Sequence, residues 1–240
     1  MKKALILKAA IFLAVATICP AWSASPKPSV AHHGMVVSSE SIAADIGLEI
    51  LKSGGNAVDA AVATCIALNV TEGYNCGMGG GCFITLYWAE TGEVFAVDGR
   101  ERAPLGAHRD LYVNPADQTV IKGLSTEGAT AVAAPGQPAA LKLIHDRWGS
   151  LPWAELFEPA IAAADTGFVL SRTYAEKLSG SGDRLSQYPS SREIFFPHGD
   201  TIPYGFGDRL IQKDLARFLD SLSRNGADWF YNSRFAGDLA

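Results

Sequence analysis

Arginine and acidic residues are concentrated at residues 98–102, where the sequence reads Asp-Gly-Arg-Glu-Arg. The planar guanidinium of Arg100 matches a carboxylate through two parallel hydrogen bonds, a geometry that lysine cannot reproduce. Gly99 leaves room beside the backbone, and Asp98 and Glu101 complete a supporting loop. The chemistry predicted here is binding of an anion, with a carboxylate as the best fit. The alternative is a salt bridge from Arg100 to Asp98 or Glu101, which contributes little when exposed.

A glycine cluster formed by Gly79, Gly80 and Gly81 precedes this charged segment. A phosphate-binding P-loop requires a lysine and a serine or threonine after its last glycine, whereas here cysteine and phenylalanine follow Gly81. A dinucleotide-binding fingerprint follows a strand and opens a helix, whereas these glycines follow a predicted helix and open a predicted strand. We therefore interpret the cluster as a structural glycine loop that permits a tight bend and close backbone packing.

No catalytic nucleophile is evident from the residues alone. The sequence has no Gly-X-Ser-X-Gly elbow, and no cysteine has a convincing histidine partner. The spacing of Cys65, Cys76 and Cys82 fits no zinc motif, so we predict neither a metal nor another cofactor. These cysteines are compatible with one disulfide and one free thiol, or with three buried free thiols.

Composition and charge are those of a globular protein, with 48% hydrophobic residues among 240 and a net charge of −5. The lack of a basic stripe argues against nucleic acid as a partner. Residues 1–23 combine early lysines, a short apolar run and small residues near the end, which predicts a cleaved secretory signal peptide and no membrane anchor after cleavage. Residues 24–33 are a predicted linker, and we expect the mature protein to be periplasmic or secreted.

The elements that position the charged segment are predicted from hydrophobic periodicity. Residues 57–70 are apolar nearly all round, which is typical of a helix buried on every side. Residues 83–88 and 93–98 flank a turn and predict a β-hairpin that leads into the charged segment. Residues 129–134 are predicted as a short strand and residues 180–209 as loop-rich, with helices between and after them. Helices and an antiparallel hairpin that segregate along the chain indicate an α+β fold.

Several sequence blocks resemble the γ-glutamyltranspeptidase family. They include Gly-Gly-Asn-Ala-Val-Asp-Ala-Ala at residues 54–61, Gly-Met-Gly-Gly-Gly-Cys-Phe at residues 77–83 and Asp-Gly-Arg-Glu-Arg-Ala-Pro at residues 98–104. Further blocks follow in the family's order at residues 131–136, 149–153 and 225–231. The resemblance covers residues 34–240, which we interpret as an incomplete portion of the family's large subunit.

The resemblance implies an N-terminal-nucleophile hydrolase with a four-layer αββα sandwich, of which this chain holds an incomplete part. In this family the precursor cleaves itself into a large and a small subunit. The new N-terminal threonine of the small subunit attacks the γ-glutamyl amide of substrates such as glutathione, with its own α-amino group as base. The γ-glutamyl group then passes to water, an amino acid or a peptide. The arginine that corresponds to Arg100 binds the α-carboxylate of the γ-glutamyl group.

Two departures from the family pattern bear on function. The Thr-Thr-His-type motif that carries the nucleophile is absent from the 240 residues, so we expect a small-subunit partner to supply it and the isolated chain to be inactive. Arg102 stands where the family usually has a small polar residue. Alternative functions are a non-catalytic periplasmic binding protein for glutamyl compounds, and an acylase or poly-γ-glutamate depolymerase of the same family.

Overall fold

A helix that is apolar on every side lies at the centre of the core. In the computed structural model, which describes residues 28–197 and 201–239, this helix is α2 (Ala57–Thr71), and it packs against the preceding α1 (Ser41–Lys52). Ile66 and Val70 have no exposed surface. The prediction of a buried apolar helix is confirmed for most of its circumference. It fails along one stripe, where Ala57 and Ala61 are exposed and Cys65 and Leu68 are half-buried.

The start of α2 is fixed by a reciprocal pair of hydrogen bonds. The Asn56 side chain accepts from the backbone amide of Asp59 at 3.1 Å, and the Asp59 carboxylate accepts from the backbone amide of Asn56 at 2.9 Å. This capping box satisfies amides that a helix leaves without partners in its first turn. It also places the Asp59 carboxylate inside the core, where it contacts a second loop discussed below.

The predicted hairpin is confirmed as β1 (Cys82–Trp88) and β2 (Glu93–Gly99), paired antiparallel with Phe83 opposite Asp98. One face of the hairpin packs on the helices, where the Phe95 ring lies 4.7 Å from that of Trp148. The opposite face is exposed and includes three large apolar side chains, Phe83, Tyr87 and Val94. β2 ends at Gly99, so it delivers the backbone directly to Arg100.

Helices dominate the rest of the described chain, which gives a mixed helix-and-strand architecture. The α-helices are α3 (Gln137–Trp148), α4 (Glu158–Thr166), α5 (Arg172–Leu185), α6 (Pro189–Phe195), α7 (Lys213–Asn232) and α8 (Arg234–Leu239). The short strands β3 (Phe168–Val169) and β4 (Arg209–Leu210) form a second antiparallel pair. 3₁₀ turns cover Ala129–Ala131 and Trp153–Leu156.

One prediction about these segments is wrong, and another holds only in part. Residues 129–134 form no strand: a 3₁₀ turn occupies the first half, and only Ala134 pairs with another segment, through a bridge to Arg102. Residues 180–209 are loop-rich only in their second part: α5 runs to Leu185 and α6 spans Pro189–Phe195, whereas residues 201–208 are irregular. The Ser-Gly-Ser-Gly run inside α5 disfavours a helix, but burial of Tyr174 and Leu178 on one side of that helix overrides the local preference.

Residues 34–240 form one compact unit, and residues 28–33 belong to a separate N-terminal unit in which they are exposed and irregular. The predicted signal peptide at residues 1–23 and the first part of the predicted linker lie outside the described residues. Within the described ranges, no helix has both the length and the apolar character needed to cross a bilayer.

Candidate carboxylate-binding cleft

An open cleft of about 450 Å³ lies where the end of β2 meets the start of α3. The sequence-predicted Asp98, Gly99 and Arg100 line it, together with Arg102. Its opposite wall is formed by residues that the sequence did not associate with a site: Ala134, Pro135, Gly136, Ala139, Ala140, Leu143 and Tyr231. Asp98, Arg100 and Arg102 therefore line the same cleft. Glu101 is absent from the lining.

The backbone of Arg100 is held from two sides. The Asp98 Oδ1 atom accepts a hydrogen bond from the Arg100 amide at 2.9 Å. On the other side, a Cβ atom placed on Gly136 would lie 2.3 Å from the Gly99 carbonyl oxygen and 2.7 Å from that of Arg100. Only glycine permits so close an approach of two backbones. The position of Arg100 therefore depends on residue 136, far away in sequence.

Hydrogen bonds fix this second segment against the first. Arg102 and Ala134 exchange backbone hydrogen bonds of 3.0 and 2.8 Å, and the Gly80 carbonyl accepts from the amides of Gly136 and Gln137 at 3.0 and 3.1 Å. Three stretches that are distant in sequence thus meet at one point. The candidate site has a backbone frame that is formed before any ligand binds.

The three glycines of the loop differ in how closely the backbone packs around them. A Cβ atom on Gly81 would lie 2.6 Å from the Gly99 carbonyl oxygen and 2.8 Å from the Glu101 amide nitrogen, so this glycine permits close backbone packing. Gly80 contributes its carbonyl to the hydrogen bonds above. Gly79 meets no atom within 4 Å at the corresponding position, so close packing does not explain its identity.

The Arg100 side chain is 68% exposed, and its Nε atom lies 3.1 Å from Glu101 Oε2. The salt bridge that was the alternative interpretation is therefore present. Glu101 Oε2 is buried and makes no hydrogen bond within the described chain, so the contact is electrostatic without favourable hydrogen-bond geometry. No other described residue forms an ion pair or hydrogen bond with the Arg100 guanidinium, so it is still able to bind a ligand from the cleft.

Tyr231 supports the cleft from the C-terminal part of the chain. Its hydroxyl donates to the Pro135 carbonyl at 2.9 Å and accepts from the Ala139 amide at 3.3 Å. A break in α7 at Gly226, with φ of 72°, redirects the segment that carries this tyrosine. The sequence block around Tyr231 matched the family pattern, but no signal in spacing or composition connected it with Arg100.

Cys65, Cys76 and Cys82 are free thiols rather than members of a disulfide. Burial raises the pKa of Cys65 to about 12 and that of Cys76 to about 11, and burial followed by the charge of Glu101 raises that of Cys82. Since a thiolate is the reactive form, these shifts disfavour nucleophilic chemistry at neutral pH. Among the described residues, no group of three or more His, Cys, Asp or Glu side chains is placed to hold a metal ion.

Comparison with known proteins identifies relatives of this chain. Residues 43–240 match the family model described as gamma-glutamyltranspeptidase. The chain is 40% identical over 231 residues to the glutathione hydrolase proenzyme of a Pseudomonas species, covering 95% of the chain and 40% of that protein. It is 38% identical over 211 residues to the glutathione hydrolase proenzyme of Bacillus subtilis, covering 88% of the chain and 35% of that protein.

Structural similarity points the same way. The crystal structure of Helicobacter pylori gamma-glutamyltranspeptidase superposes with a TM-score of 0.84 at 35% identity, over 88% of this chain and 60% of that one. The chain thus spans about two fifths of the length of the curated relatives it matches. The family match extends over the hairpin, the Arg100 segment and the wall that faces it. On these grounds, the chain belongs to the gamma-glutamyltranspeptidase family.

Proposed function

We propose that this chain is the part of a γ-glutamyl hydrolase and transferase that holds the α-carboxylate of the substrate. The observation that carries the proposal is the Arg100 guanidinium, which lies exposed in a cleft while its backbone is fixed by Asp98 and by the close approach of Gly136. A planar guanidinium binds a carboxylate bidentately, and a backbone fixed in advance lowers the entropic cost of that contact.

Glu101 pairs with the Nε side of the Arg100 guanidinium and leaves its other N–H groups available. Its carboxylate approaches Nε of Arg100 from the side of the glycine loop, away from the cleft. A one-sided ion pair of this kind orients the guanidinium, so that its remaining N–H groups are available to a ligand. The salt bridge and the binding site are therefore two parts of one arrangement rather than competing interpretations.

The reaction we propose needs a nucleophile from outside these residues. A threonine at the new N-terminus of a small subunit, released when the precursor cleaves itself, attacks the γ-carbonyl carbon, and its α-amino group takes the hydroxyl proton. The carbon–nitrogen bond then breaks, the amine leaves with a proton, and a γ-glutamyl ester remains. Water or the amine of an acceptor releases the γ-glutamyl group. Arg100 contributes by orienting the substrate, such as glutathione, for these steps.

The exposed apolar face of the hairpin is evidence for a further layer that packs against it. Phe83, Tyr87 and Val94 are between 64% and 70% exposed on one side of a two-stranded sheet. Large apolar side chains on one sheet face are usually covered by another layer. We propose that strands of the small subunit extend and cover this sheet, which would complete the four-layer αββα sandwich of N-terminal-nucleophile hydrolases.

We further propose that the protein is exported. Residues 1–23 would act as the signal peptide, residues 24–33 as the linker, and residues 34–240 as part of the large subunit in the periplasm or outside the cell. The sequence pattern of the first 23 residues supports this proposal. N-terminal sequencing of the exported protein would test it, with a start near residue 24 expected.

Kinetics of the full-length protein test the role of Arg100. With γ-glutamyl-p-nitroanilide as donor, Arg100→Gln is expected to raise KM by about tenfold to a hundredfold, because a hydrogen bond to a charged group contributes about 1.5–3 kcal/mol. Arg109→Gln provides the matched control, since Arg109 is an exposed arginine outside the cleft. An unchanged KM in Arg100→Gln would refute the proposed role.

A further inference from the structure

Arg102 lines the same cleft as Arg100 but differs from it in its charged neighbours. Its side chain makes no ion pair and no hydrogen bond with any residue in the part of the chain that the structure describes. Its backbone, by contrast, is fixed by the reciprocal hydrogen bonds with Ala134. The cleft therefore presents a second guanidinium group, that of Arg102. Its backbone is fixed, and its side chain has no partner among the described residues.

The surroundings of Arg102 favour an anionic group on a bound ligand. Glu101 already pairs with Arg100, and Asp98 Oδ1 already accepts the Arg100 amide. The facing wall is largely apolar, with Pro135 and Leu143 among its residues. A cation beside a low-dielectric wall attracts an anion more strongly than one surrounded by water. The cleft thus presents two guanidinium groups to a ligand, and within the described residues only that of Arg100 has an ion-pair partner.

We propose that Arg102 binds a second carboxylate of the substrate, one carried by the amine portion beyond the scissile γ-glutamyl amide. This inference rests on the proposed function, in which Arg100 takes the α-carboxylate. The γ-glutamyl part of a donor has no other free carboxylate, so a second one lies on the leaving amine. The substrate class assigned is therefore γ-glutamyl amino acids and peptides with a free carboxylate close to the amide.

Dimensions agree with this assignment. One residue separates Arg100 from Arg102, so their Cα atoms are at most about 7 Å apart. In an extended γ-glutamyl amino acid, covalent bond lengths place the two carboxylates roughly 8 Å apart. Long arginine side chains can adjust to such a small difference. Both carboxylates of one small donor can therefore be reached from these two positions.

A pair of donors that differ only in the second carboxylate tests the inference. The measurement is kcat/KM of the full-length protein for γ-glutamylglycine and for γ-glutamylglycinamide, followed by release of glutamate. Wild-type protein is expected to prefer the acid by about tenfold, the size of one charged hydrogen-bonded contact. Arg102→Gln is expected to bring the ratio close to one, mainly by lowering kcat/KM for the acid. Arg102→Lys keeps the positive charge but loses the planar guanidinium that can donate two parallel hydrogen bonds, so it should give an intermediate ratio.

Reference variants separate this inference from the function on which it rests. Arg100→Gln is expected to lower kcat/KM for both donors by the same factor, and Arg109→Gln to change neither. A wild-type ratio near one, or a ratio unchanged in Arg102→Gln, would overturn the role of Arg102 while leaving that of Arg100 intact. Failure of the wild-type protein to turn over either donor would overturn the proposed function and this inference together.

Discussion

Asp59 and Arg100 are both charged residues that face a loop from a distant part of the chain, and their surroundings are opposite. Asp59 has no exposed surface, and its carboxylate accepts from the Ser150 amide at 3.0 and 3.1 Å, the Ser150 hydroxyl at 2.5 Å and the Asn56 amide at 2.9 Å. Arg100 is 68% exposed and has one ion pair.

This difference separates a charge that stabilises the fold from a charge that is available to a ligand. Every partner of Asp59 belongs to the protein, and together they join the start of α2 to the loop after α3. At Arg100 the protein satisfies the backbone and leaves most of the side chain open. A buried charge with a full set of donors is expected to affect stability, whereas an exposed charge on a fixed backbone is expected to affect binding.

The largest effect is expected at the buried residue. Asp59→Asn replaces one acceptor oxygen by an NH₂ group that faces donors, which should lower the free energy of unfolding by about 3 kcal/mol. Chemical denaturation of the full-length protein measures this loss. Asp45→Asn is the control, because Asp45 is exposed on the adjacent helix. A variant as stable as the wild type would show that Asp59 does not hold the two segments together.

A second effect concerns another buried group, the Cys65 thiol, and changes the free energy of unfolding only at alkaline pH. Burial raises the pKa of the Cys65 thiol from an ordinary value of 9.0 to about 12. Between these values the thiol stays protonated in the folded state and ionises in the unfolded state, so stability is full below pH 9 and falls as pH rises towards 12. One group of this kind contributes a slope of about 1.4 kcal/mol per pH unit in this window.

Comparison of wild type with Cys65→Ala isolates this contribution from other groups that titrate at high pH. Denaturation at several pH values above 9 should show a shallower fall in stability for the variant. Parallel curves for the two proteins would mean that the Cys65 thiol is not desolvated in the fold.

The smallest effect is expected at Tyr231, in the lining of the cleft that holds Arg100. Tyr231→Phe removes the hydroxyl that bonds to Pro135 and Ala139, and so loosens the wall that abuts the Arg100 backbone. We expect KM for a γ-glutamyl donor to rise by about threefold to tenfold, corresponding to one ordinary hydrogen bond, with a smaller change in kcat. Tyr188→Phe is the control. Equal KM values in the two variants would show that the Tyr231 hydroxyl does not contribute to substrate binding.

Much of the frame around the site was predictable from sequence because its signals are local. The apolar run of α2, the turn between β1 and β2, and the Asp-Gly-Arg-Glu segment each indicate their structure within a few residues. Arg100 was identified by the chemistry of its guanidinium and by the resemblance of its segment to one family. In the structure Arg100 lines a cleft.

The opposite wall of the cleft was not predictable, because it depends on contacts between distant segments. Gly136 lies two residues beyond the predicted strand at 129–134, and its role is to allow close approach to the carbonyl oxygen of Gly99. Tyr231 reaches the site only because α7 is broken at Gly226. The predicted strand at residues 129–134 failed for the same reason: no partner strand lies beside it beyond the single bridge at Ala134.

The central claim, that Arg100 holds the substrate α-carboxylate, is tested most directly by removing each partner in turn. The measurement is kcat/KM of the full-length wild type and Arg100→Gln for a γ-glutamyl amide and for the matching 4-aminobutyryl amide, which lacks the α-carboxylate. The account predicts that wild type favours the γ-glutamyl donor by about a hundredfold and that Arg100→Gln reduces this preference to a few-fold. An equal preference in both proteins would contradict it.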